Sequence, residues 1–457
     1  MSVFQPKEDF KSLFKPNLFS SIDGLRALAS LSIIYVHICQ LFVLFIPMYP
    51  AKEWFNYFYS NSFLFSMIFV NSLEIFFVIS GFLLTYSILT NKNNNENNFF
   101  VFILKRLLRY YPGLILMFLY MYLFGDLELS YLKNFKSTVS NYLVHLLFIV
   151  NYVGFDSSWF YSLRNNWSNC VDFHVYIMLT FILRLLWIKY KLTLKQIMKI
   201  LICLLVLSVI ICYYSFDSSI EIMKIGTRSH PFYQTNYKQS KALFDFYNLT
   251  FPINKSEFID HYKLSNLVKF YAPTHVRYGS FISGSILATK LLINKEENFI
   301  NENRIRKYFY WILSLFLFVI ISLRPNMNQS DPPIILICSI RQLISIAIAY
   351  ILYTTLVDKK SIYYNKYLNT ILSSKIFIPI SKSSYLVYLI HLRLITDLIN
   401  NEPLRRTKKY HIDIASPICF PFILIISQII AVCWYCLVEQ PFFRLTNRLL
   451  IISKKNK

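Results

Sequence analysis

The stretch "IDGLRALASLSIIYVHI", residues 22–38, decides how this chain is read. It has the apolar density of a membrane helix, yet it carries Arg26 and His37. An ionisable side chain inside a span costs roughly 2.5–3.5 kcal/mol on insertion scales, so each needs a partner or a role. The two residues lie three helical turns apart and therefore share a face, about 16 Å apart along the axis. With Arg26 at the cytosolic edge, His37 falls near the middle of a hydrocarbon layer about 30 Å thick. A histidine that merely packs between helices is the ordinary alternative.

Outward from this stretch the same apolar texture continues. Of 457 residues, 55% are apolar and 16% charged, with a mean hydropathy of +0.44. A soluble chain of this length carries more charge. Runs near 25–47, 63–89, 100–124, 172–189, 199–215, 275–293, 308–324, 333–357, 378–399 and 416–438 are each long enough to span. The sequence thus predicts an all-α, polytopic transmembrane bundle of about ten spans. The segment "NYLVHLLFIVNYV" (141–153) is too short and reads as re-entrant or interfacial.

The formal charge, 47 − 24 = +23, sits mostly in short links between apolar runs. That is a positive-inside pattern, and it places nucleic-acid binding far behind residence in a lipid bilayer. Seven of the eight cysteines lie in or beside apolar runs and only Cys170 reads as loop-exposed, so no disulfide framework and no metal site is expected. The first twenty residues hold no hydrophobic signal region, leaving the first span as targeting signal.

Orientation follows from two patterns. With a cytosolic N-terminal segment 1–24, the basic links 189–199, 294–307 and 358–367 and the tail 439–457 all lie inside, as does the C-terminus. The transmembrane domain is then 25–438, with lumenal links 125–171 and 216–272. Four glycosylation sequons, at Asn166, Asn248, Asn254 and Asn328, all fall outside. The basic stretch "LRRTKKYH" (404–411) is the one exception. Lys454 and Lys455 resemble a dilysine retrieval signal, which ordinary inner-face lysines explain equally well. The expected location is the endoplasmic reticulum or another endomembrane, with the plasma membrane as the other option.

Other ionisable residues interrupt the apolar runs. Glu74 in "NSLEIFFVISGFLL" lies deep in the second span, positioned either to hold the His37 imidazole in one tautomer or to pack as a protonated acid. Arg106 and Arg109 in "LKRLLRYYPG" share a face at the opening of the third span, where forked guanidinium groups suit phosphate oxygens. Lys105 beside them reads as a lipid anchor. Asp172 and His174 in "NNWSNCVDFHVY" begin the fourth span on the lumenal side. His391 is buried in the ninth, with Tyr388 and Tyr385 one and two turns before it. Arg277 stands at the entrance to the sixth, where anchoring and ligand contact explain it about equally.

In order, "IDGLRALASLSIIYVH", "LEIFFVISGFLL", "LKRLLRYYP", "WSNCVDFHVY", "PTHVRYGSFISGSILA", "SKSSYLVYLIH" and "VEQPF" resemble the acyltransferase type three family, particularly its nose-resistant-to-fluoxetine-like branch. The resemblance covers nearly the whole chain. It implies a multi-pass enzyme moving an acyl group from acyl-CoA, used as donor substrate, to a hydroxyl acceptor. It implies that His37 is the catalytic histidine, that Arg26, Arg106 and Arg109 handle the donor, and that Asp172 and His391 support them. Glu74 stands where the family often has Asp, Arg393 follows His391 at a usually apolar or Pro position, and the branch's large extracellular N-terminal domain is missing. A transporter or lipid carrier using the same polar cavity is the rival class. Against it stand the lack of inverted halves and the scarcity of Gly-Pro breaks in corresponding spans.

Overall fold

The computed structural model describes residues 4–45, 69–90, 99–124, 142–153, 165–215, 272–296, 304–323, 334–400 and 412–446. Among them all regular structure is helical. In order these are α1 (Pro6–Ser12), α2 (Ser20–Phe45), α3 (Ser72–Thr90), α4 (Phe99–Phe124), α5 (Val150–Val153), α6 (Asn166–Arg184), α7 (Leu194–Ser215), α8 (Thr274–Arg277), α9 (Gly279–Glu296), α10 (Arg304–Leu323), α11 (Ile334–Leu356), α12 (Lys366–Leu372), α13 (Phe377–Asn400) and α14 (Ile412–Trp434). α6 and α14 run on through π-helical turns at Leu185–Lys189 and Tyr435–Glu439.

Six stretches among the described residues are helical and apolar enough to cross a membrane: Ser20–Cys39, Ser72–Thr90, Asn166–Lys189, Leu194–Ser215, Cys338–Leu356 and Cys419–Thr446. α4, α9, α10 and α13 stand where the sequence predicts further spans. The last of the six reaches Thr446, eight residues beyond the predicted end of the transmembrane domain at 438. The segment 141–153 forms two short helical pieces, reversing at Phe148, which takes a φ of 58°.

α3 and α9 approach backbone to backbone. A Cβ at Gly81 would run into the Phe281 carbonyl, and one at Gly284 into the Val78 carbonyl, so only glycine permits this contact. Thr85 Oγ1 donates to Ser285 Oγ (2.8 Å) across the same seam. α2 packs mainly on α13, α14 and α3. Asp23, in its first turn, accepts from Ser381 Oγ (3.0 Å) and from Asn17 N (3.1 Å), which fastens the start of α2 to α13.

α1 lies across one end of the bundle. Its buried Asp9 takes both arms of Arg444, with Nη2 2.6 Å from Oδ2. Ser12 Oγ meets the Tyr435 hydroxyl (3.2 Å), and Lys382 Nζ donates to the Ser12 carbonyl. The first residues are therefore docked onto the bundle, not merely attached to it.

Candidate active site

A cavity of about 250 Å³ opens between α2, α3, α4, α6 and α13. Arg26, Arg106, Arg109 and Asp172 all line it, together with Ser80, Ser168 and a wall of phenylalanine and tyrosine rings. The four residues singled out from three separate apolar runs thus share one chamber. Three guanidinium groups stand against one carboxylate, 3 − 1 = +2.

Asp172, which the sequence puts at the start of the fourth span, lines the cavity beside the arginines. It is the direct partner of Arg106, through Nη2 and through Nε (3.2 Å). Ser80 Oγ (2.5 Å) and the Tyr110 hydroxyl also donate to it. The Arg106 guanidinium lies over the Tyr176 ring at 4.9 Å and the Tyr110 ring at 5.2 Å. Arg106 and Asp172 stand at one level because α4 and α6 pass side by side. Depths assigned to each helix separately put them on opposite faces. Arg26 and Arg109 make no hydrogen bond or ion pair among the described residues. Of the two arginines on α4, Arg106 is thus paired with an acid, while Arg109 faces the cavity.

Beside the cavity lies a histidine pair. His37 Nδ1 is 2.7 Å from His391 Nε2, with the rings 15° from parallel. His391 Nδ1 contacts the carbonyls of Tyr388 (2.6 Å) and Val387 (3.2 Å). A carbonyl oxygen only accepts, so Nδ1 of His391 carries the hydrogen and its Nε2 is the acceptor. His37 therefore donates from Nδ1, and in the neutral ring the lone pair belongs to Nε2. His391 is fully buried, while His37 is half-buried.

Glu74 has no part in this pair. Its carboxylate is bound to Arg277 and to Ser280 Oγ (2.5 Å), in a pocket where both charged side chains are 3% exposed. Arg277 also lies over the Trp167 ring at 4.9 Å. The prediction that Glu74 orients His37 is corrected: Glu74 projects toward α8 and α9, and a histidine does the orienting.

Asn166, predicted as a glycosylation site, is fully enclosed at the start of α6. Its Nδ2 contacts His145 Nδ1 (3.0 Å) and its Oδ1 accepts from Asn169 Nδ2 (3.0 Å), leaving no room for an oligosaccharide. Asn248, Asn254 and Asn328 lie outside the described residues. Cys170, expected in a loop, is buried in α6. His174 Nδ1 contacts Thr274 Oγ1 (2.9 Å), and Arg393 pairs with Asp397 (2.9 Å) one turn on. Among the described residues no group of three metal-ligating side chains occurs.

Several participants carried no signal in the sequence. Ser80, Tyr110, Asn165 and Ser168 carry no formal charge and stand out only once their neighbours are known. Asn165 Nδ2 donates to the Tyr388 and Leu389 carbonyls (3.2 Å to the latter), so it braces the same turn of α13 that holds His391.

Helices fit for a membrane around a basic chamber define a multi-pass membrane protein. The family profile described as "Acyltransferase domain", that of the acyltransferase 3 family, matches residues 19–437, and the chain belongs to that family. No curated protein and no solved structure matches it significantly.

Proposed function

We propose that this protein is a membrane O-acyltransferase of the nose-resistant-to-fluoxetine-like branch. It moves an acyl group from cytosolic acyl-CoA to a hydroxyl acceptor, whether sugar, lipid or other, presented on the lumenal or extracellular side. The observation that carries the reading is the hydrogen-bond chain from the Tyr388 carbonyl through His391 to His37, which leaves Nε2 of His37 as the basic nitrogen.

Arg26 and Arg109 bind donor phosphates through charge-assisted hydrogen bonds, while Arg106, held by Asp172, stiffens the wall between them. The acceptor hydroxyl gives its proton to His37 Nε2 as its oxygen attacks the thioester carbonyl. A C–O bond forms, the C–S bond breaks, and the proton passes on to the departing thiolate. General-base catalysis of this kind contributes about 10²–10⁴-fold. His391 stays neutral, and its lone pair steadies the imidazolium through the Nδ1 hydrogen. The chemistry asks for no metal. The surrounding topology is ten crossings of an endomembrane or plasma membrane bilayer with both termini cytosolic.

Membranes holding wild type and His37→Ala at matched levels, given radiolabelled acyl-CoA of short and long chain, test this. Label reaching an acceptor only with His37 present supports it. Equal transfer by both proteins sinks it.

A further inference from the structure

The cavity and the histidine pair are neighbours, yet neither His37 nor His391 lines the cavity. Tyr388 does, and it also touches the pair. Its ring packs on the His391 ring at 5.6 Å, and its carbonyl holds His391 Nδ1. The ring is 8% exposed. Its hydroxyl is fixed at the far end, 2.7 Å from Ser168 Oγ and 3.2 Å from the Asn165 carbonyl, to which Ser168 Oγ also donates (2.8 Å). Tyr388, latched to the first turn of α6, is therefore a cavity-lining residue that also touches the histidine pair. The residue carrying the latch and the residue pairing with Arg106 are one turn apart on that helix, Ser168 and Asp172.

We infer that Tyr388 is a specificity-determining residue, which keeps the thioester from the histidine pair until the acceptor is in place and so selects the acceptor hydroxyl over water. This rests on the acyltransferase reading above. On this inference, turning the ring about its χ1 gives the thioester access to the histidine pair, and the hydroxyl latch adds to the packing that holds against that turn. Without the latch, water competes. Its oxygen attacks the acyl carbonyl, its proton goes to His37 Nε2 and then to the CoA sulfur, and the C–S bond breaks to give free acid and CoA.

The experiment measures acyl-CoA hydrolysis without acceptor and acyl transfer with it, in full-length protein in lipid nanodiscs. Tyr388→Phe keeps the ring and removes the latch; Ser168→Ala removes one of its two contacts, leaves the Asn165 carbonyl and keeps the tyrosine intact. Tyr388→Phe is expected to raise hydrolysis roughly threefold to tenfold, the factor a net hydrogen bond carries, and Ser168→Ala to raise it by less. The added hydrolysis is expected to vanish when His37→Ala is combined with either. Unchanged hydrolysis in both variants while transfer persists overturns the latch alone, as does a rise that survives loss of His37. Lack of His37-dependent transfer in wild type overturns the acyltransferase reading and the latch with it.

Discussion

His37 Nδ1 stands 2.7 Å from His391 Nε2, a contact between two residues 354 apart in the chain. On the function proposed above, His391 acts as a positioning residue. His391→Ala removes the acceptor for the Nδ1 hydrogen, so the ring of His37 can turn and exchange tautomers. Turnover should fall by about 10²-fold or more, against complete loss for His37→Ala, with the KM for the donor little changed. Steady-state kinetics at matched protein levels reads the split. A rise in KM at constant kcat speaks against the assignment.

The arginines should separate into two classes. Arg26→Ala and Arg109→Ala remove charge-assisted hydrogen bonds to the donor, and each should raise the KM for acyl-CoA by roughly 10–100-fold. Arg106→Ala instead strands Asp172 and should lower stability, with recovery in the Arg106→Gln/Asp172→Asn double variant. Thermal unfolding in detergent beside donor titration distinguishes them. A stable Arg106→Ala protein with only a KM defect contradicts the division.

Glu74 and Arg277 should behave as a structural pair. Removing one partner of a buried ion pair costs roughly 3–5 kcal/mol because the other charge is left without compensation. Glu74→Ala should therefore reduce the yield of folded protein. Replacing both, Glu74→Leu with Arg277→Met, should restore much of it. Abundance and melting midpoint are the readouts. A Glu74→Ala protein that folds normally but does not turn over returns Glu74 to the chemistry.

Asn166 should carry no glycan. Asn166→Gln is expected to leave the glycosidase-sensitive mobility of the protein unchanged while weakening the fold, because its hydrogen bonds to His145 and Asn169 are lost. A mobility shift on gels would reverse this.

Much of the frame was legible in the chain. Apolar runs marked where the long helices stand, since burial in lipid and helical geometry act locally on consecutive residues. Arg26 and His37 were conspicuous for the same local reason. What could not be read was pairing. Glu74 finds Arg277, 203 residues away, and Arg106 finds Asp172 because of how helices rotate and stack, which no single helix records. Hydroxyl and amide residues such as Ser168 and Asn165 were silent because they carry no charge and their partners lie on other helices, although they hold Tyr388 and the turn bearing His391.

The clasp of Asp9 on Arg444 has a consequence for counting. Two points that touch close the intervening chain into a ring, and a ring meets any plane an even number of times. On the topology proposed above, ten crossings between residues 9 and 444 return the chain to the side it left. Cysteines introduced at the two ends of that ring are expected to answer to reagents added from the same side.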